Sequence, residues 1–293
     1  MEIRKEYELQ FEGEYLYWER NGKGKEYYDN GDLKFEGEYL NEKIWNGKIY
    51  NFDGKLQFEG EYLNGIGQGK EYYSNGNLKY EGQYLKEKRN GKGKEYFNNG
   101  QIFFEGEYLD GKRWNGKEYN KKGQLESEII NGSGYVKEYY DNDKLKFEGE
   151  YLKGERNGKG KEYFSYDELL NERGYIILES NNNENNNYNI LKFEGEYSNG
   201  KRNGKGKEYY ANSELKFKGE YLNGEKNGEA KEYYDNGELK FKGEYLNGEK
   251  NGEAKEYYDN GELKFKGEYF KGKIVKTEYY YSSKIIPGNS KTK

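Results

Sequence analysis

A short motif, repeated at a nearly constant interval, constrains this chain more than any other feature of its sequence. The motif is an aromatic residue, then Glu or Lys, Gly, Glu or Gln, and Tyr. Successive copies are 24, 23, 22, 24, 43, 46, 24, 24 and 24 residues apart. A repeat period of roughly 20–50 residues is typical of a chain built from identical structural units. The motif begins at Phe11, Phe35, Phe58, Tyr80, Phe104, Phe147, Phe193, Phe217, Phe241 and Phe265.

The two long intervals hide further units. The first contains a degenerate copy over residues 117–132, and the second contains a full unit with an insertion, which gives about eleven units between residues 7 and 270. Residues 223–246 and 247–270 are identical except at their last position, Leu246 against Phe270. A single hairpin cannot bury its apolar face alone, so copying a unit extends a surface that neighbouring units share.

Each unit reads as two short strands joined by a turn. Leu33, Phe35, Gly37 and Tyr39 alternate with charged residues, which predicts a strand with an aromatic face that includes Leu33 and an opposite charged face. Asp29-Asn30-Gly31 precedes this run and indicates a hairpin turn. Both a two-residue Asn-Gly turn and a three-residue turn with a bulge fit this pattern. Recurrent glycines exclude long helices, since each costs about 1 kcal/mol in a helix interior.

The composition favours an ordered β-protein over a disordered one. Charged residues make up 36% of the chain, hydrophobic residues 32%, and the mean hydropathy is -1.42. The 36 Tyr and 14 Phe nevertheless supply apolar area, because each aromatic side chain can bury about 150–250 Å². Lys and Arg (50) nearly cancel Asp and Glu (55), leaving a net charge of -5 with no basic stripe. We therefore expect no nucleic-acid partner.

The absence of His and Cys limits the available chemistry. It removes the commonest general base, thiolate catalysis and Cys/His zinc sites. The many carboxylates recur at equivalent positions, as at Glu36, Glu59, Glu105 and Glu148, whereas an active site needs groups in unlike surroundings. We expect a protein that is not an enzyme, with no cofactor and no metal site.

The N-terminal residues also carry no apolar signal segment, and no apolar run approaches the roughly 18 residues of a membrane span. These features predict a cytoplasmic protein.

The runs over residues 80–100 and from Phe193 onward resemble the MORN repeat, in particular the variant form common in bacterial proteins. The resemblance implies hairpins lying side by side in one elongated, single-layer antiparallel sheet, a rod on the order of 100 Å long at two strands per unit. The chain departs from the family where Trp and His are usual, with Tyr at 39, 62 and 84 and Asn at 21, 90 and 157.

The resemblance also implies a binding function. We expect a scaffold for protein–protein interaction, and the similarity to bacterial variants described as antitoxin-like or immunity-like suggests neutralisation of a toxin. The alternative is a cell-surface or membrane-associated module for glycan or anionic lipid. Trp18, Trp45 and Trp114 are the candidate protein-binding residues, although Trp45 and Trp114 replace a glycine of other units and could simply fill that space.

The domain prediction follows from the repeats. Residues 1–270 form the repeat array, with a disordered Asn-rich insertion at about 165–190 that contains a short apolar segment able to form an extra element. Residues 271–293 form a C-terminal cap strand and a frayed tail.

Overall fold

The computed structural model describes residues 10–63, 66–173 and 189–280, and in these ranges the chain is almost entirely strand. Neighbouring strands in sequence are neighbours in each antiparallel sheet. The first sheet consists of β1 (Phe11–Leu16), β2 (Glu19–Tyr27), β3 (Leu33–Leu40), β4 (Lys43–Tyr50), β5 (Leu56–Leu63), β6 (Ile66–Tyr72), β7 (Leu78–Leu85), β8 (Lys88–Tyr96), β9 (Ile102–Leu109), β10 (Lys112–Tyr119) and β11 (Leu125–Ile129).

The second sheet contains the same number of strands. It consists of β12 (Gly134–Tyr139), β13 (Leu145–Leu152), β14 (Glu155–Tyr163), β15 (Leu191–Ser198), β16 (Lys201–Tyr209), β17 (Leu215–Leu222), β18 (Glu225–Tyr233), β19 (Leu239–Leu246), β20 (Glu249–Tyr257), β21 (Leu263–Phe270) and β22 (Lys273–Tyr280). The prediction of an all-β fold of about eleven hairpin repeats is confirmed, with the strands divided between two sheets of eleven. The chain separates into two compact units, residues 1–144 with 151–154 and residues 145–150 with 155–293.

The turn inside each repeat is the three-residue form. The amide of Gly31 donates to the carbonyl of Tyr28 (2.8 Å), and the amide of Tyr28 donates to the carbonyl of Asp32 (2.9 Å). Gly31 has a φ of 86°, which is the left-handed conformation that a bulge after a type I turn requires. Asn30 supports the turn, because its Oδ1 accepts from the amide of Asp32. The hairpin register that the sequence left open is thus decided.

A bulge just after this turn changes the predicted faces. Phe35 is paired with Glu26 and Leu33 with Tyr27, so Lys34 is an extra residue on one strand. Glu26 and Tyr27 point to opposite sides of their strand, and Leu33 therefore lies on the face opposite Phe35. The expectation that Leu33 shares the aromatic face was wrong, because strict alternation does not allow for an inserted residue.

The hairpins are joined to one another by two-residue turns. Asn223 and Gly224, for example, have φ angles of 52° and 96° between the paired residues Leu222 and Glu225. Two successive left-handed residues define a type I′ turn, whose twist matches that of the strands it connects.

The segment before the Asn-rich stretch forms a helix, α1 (Tyr166–Arg173). Its N-terminus is capped by Ser165, whose Oγ accepts from the amide of Glu168, while the Glu168 carboxylate accepts from the amide of Ser165 (2.9 Å). This reciprocal pair satisfies two amides that the helix leaves unbonded. Residues 174–188, which include the Asn-rich stretch, lie outside the described residues, as do the first nine residues and the tail from 281. A cap strand was predicted after residue 270, and in that region β22 pairs with β21.

The core is one face of each sheet, which we call the aromatic face. In most repeats the motif aromatic ring lies over a cross-strand pair of glycines: Gly195 and Gly206 are paired, and a Cβ on either would come within 2.7 Å of the Phe193 ring. The ring meets Tyr197 and Tyr221 edge-on, at centroid distances of 5.7 and 5.5 Å. These contacts bury the aromatic rings without a second layer of secondary structure.

One strand position beneath the rings, usually Gly, recurs in the even-numbered strands, and we call it the glycine column. The residue at this position sets how closely the aromatic rings of neighbouring repeats approach. Where the column holds Gly, as at Gly93 and Gly206, the rings that meet across it are 5.3 and 5.5 Å apart. Ala230 and Ala254 occupy the same column in the last units, and there the corresponding distances are 6.2 and 6.4 Å. One methyl group therefore accompanies a wider separation of the aromatic rings.

We expect Gly106→Ala to destabilise the first of the two compact units. A Cβ at Gly106 would lie 2.6 Å from the Cα of Gly116 and 2.8 Å from the Phe104 ring, and overpacking of this kind costs about 1–3 kcal/mol. The measurement is the urea midpoint followed by circular dichroism. The control is Gly111→Asn at a turn with open space around it, since Asn tolerates a left-handed φ. Equal midpoints for the two variants would contradict the close packing.

Candidate functional site

Charged side chains run across the aromatic face in a row, which we call the buried ion ladder. Arg89 donates to Glu71 through Nε (2.8 Å) and Nη2 (2.7 Å), and its Nη1 lies 3.3 Å from Glu95. Arg113 continues the row by donating to Glu95 (2.7 and 2.9 Å) and to Glu118 (2.9 Å). Each cation thus bridges the carboxylates of successive even-numbered strands.

The same ladder recurs in the second compact unit. Arg202 links Glu162 (2.7 Å) and Glu208 (2.8 Å), and Lys226 continues to Glu232 (3.1 Å). The cations also cover the rings below them, with Arg202 3.9 Å from the Phe193 centroid and Lys226 4.1 Å from that of Phe217. A cation over an aromatic face gains from the ring quadrupole as well as from packing.

Burial and pairing shift the pKa values within the ladder. Burial alone would raise the pKa of Glu71, but the hydrogen bonds and charge of Arg89 outweigh it and hold that pKa below its usual range. Burial likewise opposes ionisation of Glu95, where Arg113 and Arg89 together lower the pKa strongly. At Glu118, which is 2% exposed, burial prevails over Arg113 and raises the pKa.

At Glu118 the ladder is enclosed by its neighbours. Glu118 accepts from Arg113, from the Ser127 hydroxyl (2.8 Å) and from the Lys137 amide (3.3 Å), which encloses its carboxylate. Within the described residues, no three His, Cys, Asp or Glu side chains are placed to hold a metal ion.

The sequence analysis considered the repeated carboxylates of the motif and assigned no role to the residues of the buried ion ladder. A detectable signal was present, since Arg or Lys precedes Glu by six positions in most units, as in Arg89 and Glu95.

The opposite side of each sheet, which we call the charged face, carries the repeated carboxylates named from the sequence. The hydroxyl of Tyr72 donates to Glu59 (2.6 Å), and that of Tyr50 donates to Glu36 (2.6 Å). Burial and the bonded Glu36 raise the pKa of Tyr50 to about 12. These carboxylates have similar surroundings from unit to unit.

The three tryptophans lie in different hairpins. Trp45 in β4 and Trp114 in β10 are each the extra residue of a bulge, and Trp45 is 38% exposed. The Trp114 ring packs against Gly132, where a Cβ would lie 2.8 Å from Cζ3, and its carbonyl accepts from the Gly132 amide (2.7 Å). Trp114 therefore fills space at a neighbouring turn, whereas Trp45 is partly presented to solvent.

Trp18 differs from both, because it forms the tip of the first hairpin with Tyr17. The two residues have φ angles of 73° and 51° and are 94% and 89% exposed. Tyr15 and Leu16, just before them, are more than half exposed as well. We call residues 15–18 the aromatic tip. Bulky side chains in left-handed conformations are rare, and in the equivalent turns Asn, Asp or Lys with Gly is the usual pair.

Family comparison identifies the class of protein. Residues 80–102, 147–165 and 193–214 match the MORN repeat, and residues 20–41, 66–86, 133–153, 226–247 and 250–271 match the MORN repeat variant. The matches cover more than half of the chain, which therefore belongs to the MORN repeat family. Repeats of this family are in general non-catalytic modules that bind proteins or membranes.

Other comparisons add little. No curated protein matches the chain. Among solved structures, the crystal structure of TcdB2-TccC3-Cdc42 is 12% identical with a TM-score of 0.16, and that of TcdB2-TccC3-TEV is 7% identical with a TM-score of 0.20. The matches cover 83% and 85% of this chain but only 14% and 15% of those chains. Both TM-scores are too low for either match to bear on fold or function.

No helix in the described part of the chain has the length and apolar character of a membrane span.

We expect Arg113→Met to destabilise the first unit strongly. Removing the guanidinium leaves Glu95 and Glu118 buried without their shared cation, and breaking a buried pair in this way costs about 3–5 kcal/mol. The measurement is the urea midpoint. The control is Lys88→Ala, which removes the exposed pair with Asp110 and should leave the midpoint unchanged. A small effect of Arg113→Met would show that the ladder is dispensable.

Proposed function

We propose that this chain is a non-enzymatic repeat scaffold that binds a protein partner, and that the aromatic tip is its principal anchor. The observation that carries the proposal is the backbone of Tyr17 and Trp18. A residue held in a left-handed conformation costs on the order of 1–2 kcal/mol. Strain at a fully exposed pair of aromatic residues has no benefit for folding, which favours a role in recognition.

The chemistry of the aromatic tip suits a protein partner. Trp and Tyr dominate the residues that contribute most to protein–protein affinity, because they bury large areas with few rotatable bonds. The hairpin supplies rigidity, since Tyr15 and Leu16 are paired with Arg20 and Glu19 on the return strand. Binding would therefore cost little conformational entropy, because the backbone of this hairpin is already ordered.

The next hairpin of the first sheet extends this surface. The amide of Glu42 donates to the carbonyl of Arg20 (3.0 Å), which places the turn after β3 beside the base of the aromatic tip. Trp45 lies close to that turn in sequence, so we include it as a second contact residue. Trp114, which packs against Gly132, is assigned a supporting role.

A specific version of the proposal is that the partner is a toxin that the chain neutralises. Its support is the variant type of the repeats, which match over five segments. In either version the remaining units act as a rigid support that presents the aromatic tip.

The test replaces the two turn residues of the aromatic tip by those of a usual type I′ turn, Tyr17→Asn with Trp18→Gly. Because the strained residues are removed, we expect the variant to gain about 1–2 kcal/mol of stability and yet to lose its partner. The tagged chain and the variant are expressed in the native host, and proteins that co-purify are identified by mass spectrometry from soluble and envelope fractions.

The matched control is Lys86→Asn with Glu87→Gly, at another two-residue turn with positive φ angles of 50° and 65°. It relieves similar strain and should keep the partner. A partner retained by the aromatic-tip variant would refute the anchor. Recovery of the chain only with envelope material, released by sugar or by salt, would favour a glycan or lipid ligand instead.

A further inference from the structure

On the charged face of the first sheet, residues of opposite charge are paired on neighbouring strands. Lys48 is paired with Glu59, Glu59 with Lys70, and Lys70 with Glu81. This alternation places each charge beside its counter-charge on both neighbouring strands. Cross-strand pairs of opposite charge stabilise a sheet.

The second sheet abandons this pattern between β16 and β21. At one position of every strand there, lysine is paired with lysine, and these residues form what we call the lysine row: Lys207, Lys218, Lys231, Lys242, Lys255 and Lys266. Two residues further along the strands, glutamate faces glutamate, and these residues form the glutamate row: Glu229, Glu244, Glu253 and Glu268.

Two coordinated sequence changes produce the rows. The motif Glu that stands at 194 is replaced by Lys at 218, 242 and 266, while the Lys that stands at 205 is replaced by Glu at 229 and 253. Because the exchanges are in opposite directions, they redistribute charge far more than they alter its total. The effect is to separate the signs into two parallel rows.

The separation is unfavourable for the isolated sheet. Like charges directly opposite one another destabilise strand pairing. The ends of the lysine row are neutralised, with Lys207 bound to Glu194 and Lys266 to Glu278. The four lysines between them, 218, 231, 242 and 255, are exposed and form no ion pair with any residue that the structure describes. The nearest carboxylates on this face are those of the glutamate row, two positions away along the same strands.

Apolar columns border the two rows. Beyond the glutamate row, on alternate strands, lie Leu222, Leu246 and Phe270, which are 48%, 50% and 58% exposed and are paired with Glu225, Glu249 and Lys273. Beyond the lysine row lie half-buried tyrosine and leucine side chains, among them the paired Tyr233 and Leu239. Along β19, for example, the order on this face is Leu239, Lys242, Glu244 and Leu246, that is apolar, lysine, glutamate, apolar.

We propose that this face is an interface with a second copy of the chain. A twofold axis running along the rows, midway between them, places each lysine row over the other copy's glutamate row. The same operation brings Leu222 and Leu246 near the other copy's tyrosine and leucine side chains. The charge pattern is self-complementary, which is what an isologous dimer requires.

A polyanion or an anionic membrane fits this surface less well. Residues two positions apart on a strand are about 6.6 Å apart, so the glutamate row would lie close to any anion bound on the lysine row. That row would repel an extended anionic surface. A second copy uses both rows at once.

The size of the patch predicts a weak dimer. Six strands about 4.8 Å apart and four columns about 6.6 Å apart give roughly 500 Å² per copy, and roughly 1,000 Å² in total lies at the lower limit for specific interfaces. Because the attraction is between exposed charges, we expect the dimer dissociation constant to rise roughly tenfold or more from low to high salt.

The test is charge complementation with the full chain, followed by sedimentation velocity. One variant carries Lys231→Glu and Lys242→Glu, so that its centre is negative; the other carries Glu229→Lys and Glu244→Lys, so that its centre is positive. Each should be monomeric alone, and the equimolar mixture should form a heterodimer. The paired positions 231 and 242 keep like charges in the first variant, as do 229 and 244 in the second. In the first variant the new carboxylates also face Lys218 and Lys255, so its sheet should be no less stable than that of the original chain.

A neutral variant, Lys231→Gln with Lys242→Gln, checks that loss of the dimer does not follow from misfolding, since its circular dichroism should be unchanged. A monomeric original chain at low salt, or a mixture that fails to associate, would overturn the proposal. Sedimentation of the monomer with phosphatidylglycerol vesicles, abolished by the Lys→Gln changes, would also overturn it and assign the lysine row to a lipid surface.

Discussion

An aromatic ring lying over two paired glycines is the contact on which most repeats of this structure depend, and in the last repeats alanine replaces one glycine of the pair. The ring of Phe193 occupies the space that side chains at Gly195 and Gly206 would fill, and the next Tyr closes against it edge-on. This arrangement lets a single antiparallel layer bury Phe193 completely. Every other feature of the repeat, from the short strands to the glycine spacing, serves to place one such ring beside the next.

The buried ion ladder follows from that contact. The rings need a cover on their outer side, and the long stems of Arg and Lys provide it while their charged ends reach the glutamates of neighbouring strands. Buried charges must be paired, so the buried glutamate of each repeat depends on the cation of the following repeat. A unit can then be copied without redesign, as residues 223–246 and 247–270 show, because ring, cation and carboxylate are copied together.

Much of this architecture could be predicted from the sequence. The hairpins, their number and the turn glycines followed from the period and from Asp29-Asn30-Gly31, because local backbone geometry is encoded locally. The faces were harder, since the bulge at Lys34 moves Leu33 across the sheet and alternation alone does not reveal an inserted residue. The division into two sheets falls after β11, whose sequence LESEI lacks both the motif Phe and its glycine. Trp18 was named from the sequence as a candidate binding residue, but its exposure and left-handed φ, and its place in a turn with Tyr17, are properties of the fold.

The most direct test of the ring-over-glycine contact is a double-mutant cycle between Phe193→Leu and Gly206→Ala. If the ring and the glycine share one space, the methyl group of Gly206→Ala is costly beside Phe193 and tolerated beside the smaller leucine. The free energies of unfolding should then be non-additive, with a coupling of about 0.5–3 kcal/mol in favour of the double variant. Additive effects would mean that the glycine column has another purpose and that the rings do not set the structure of the repeat.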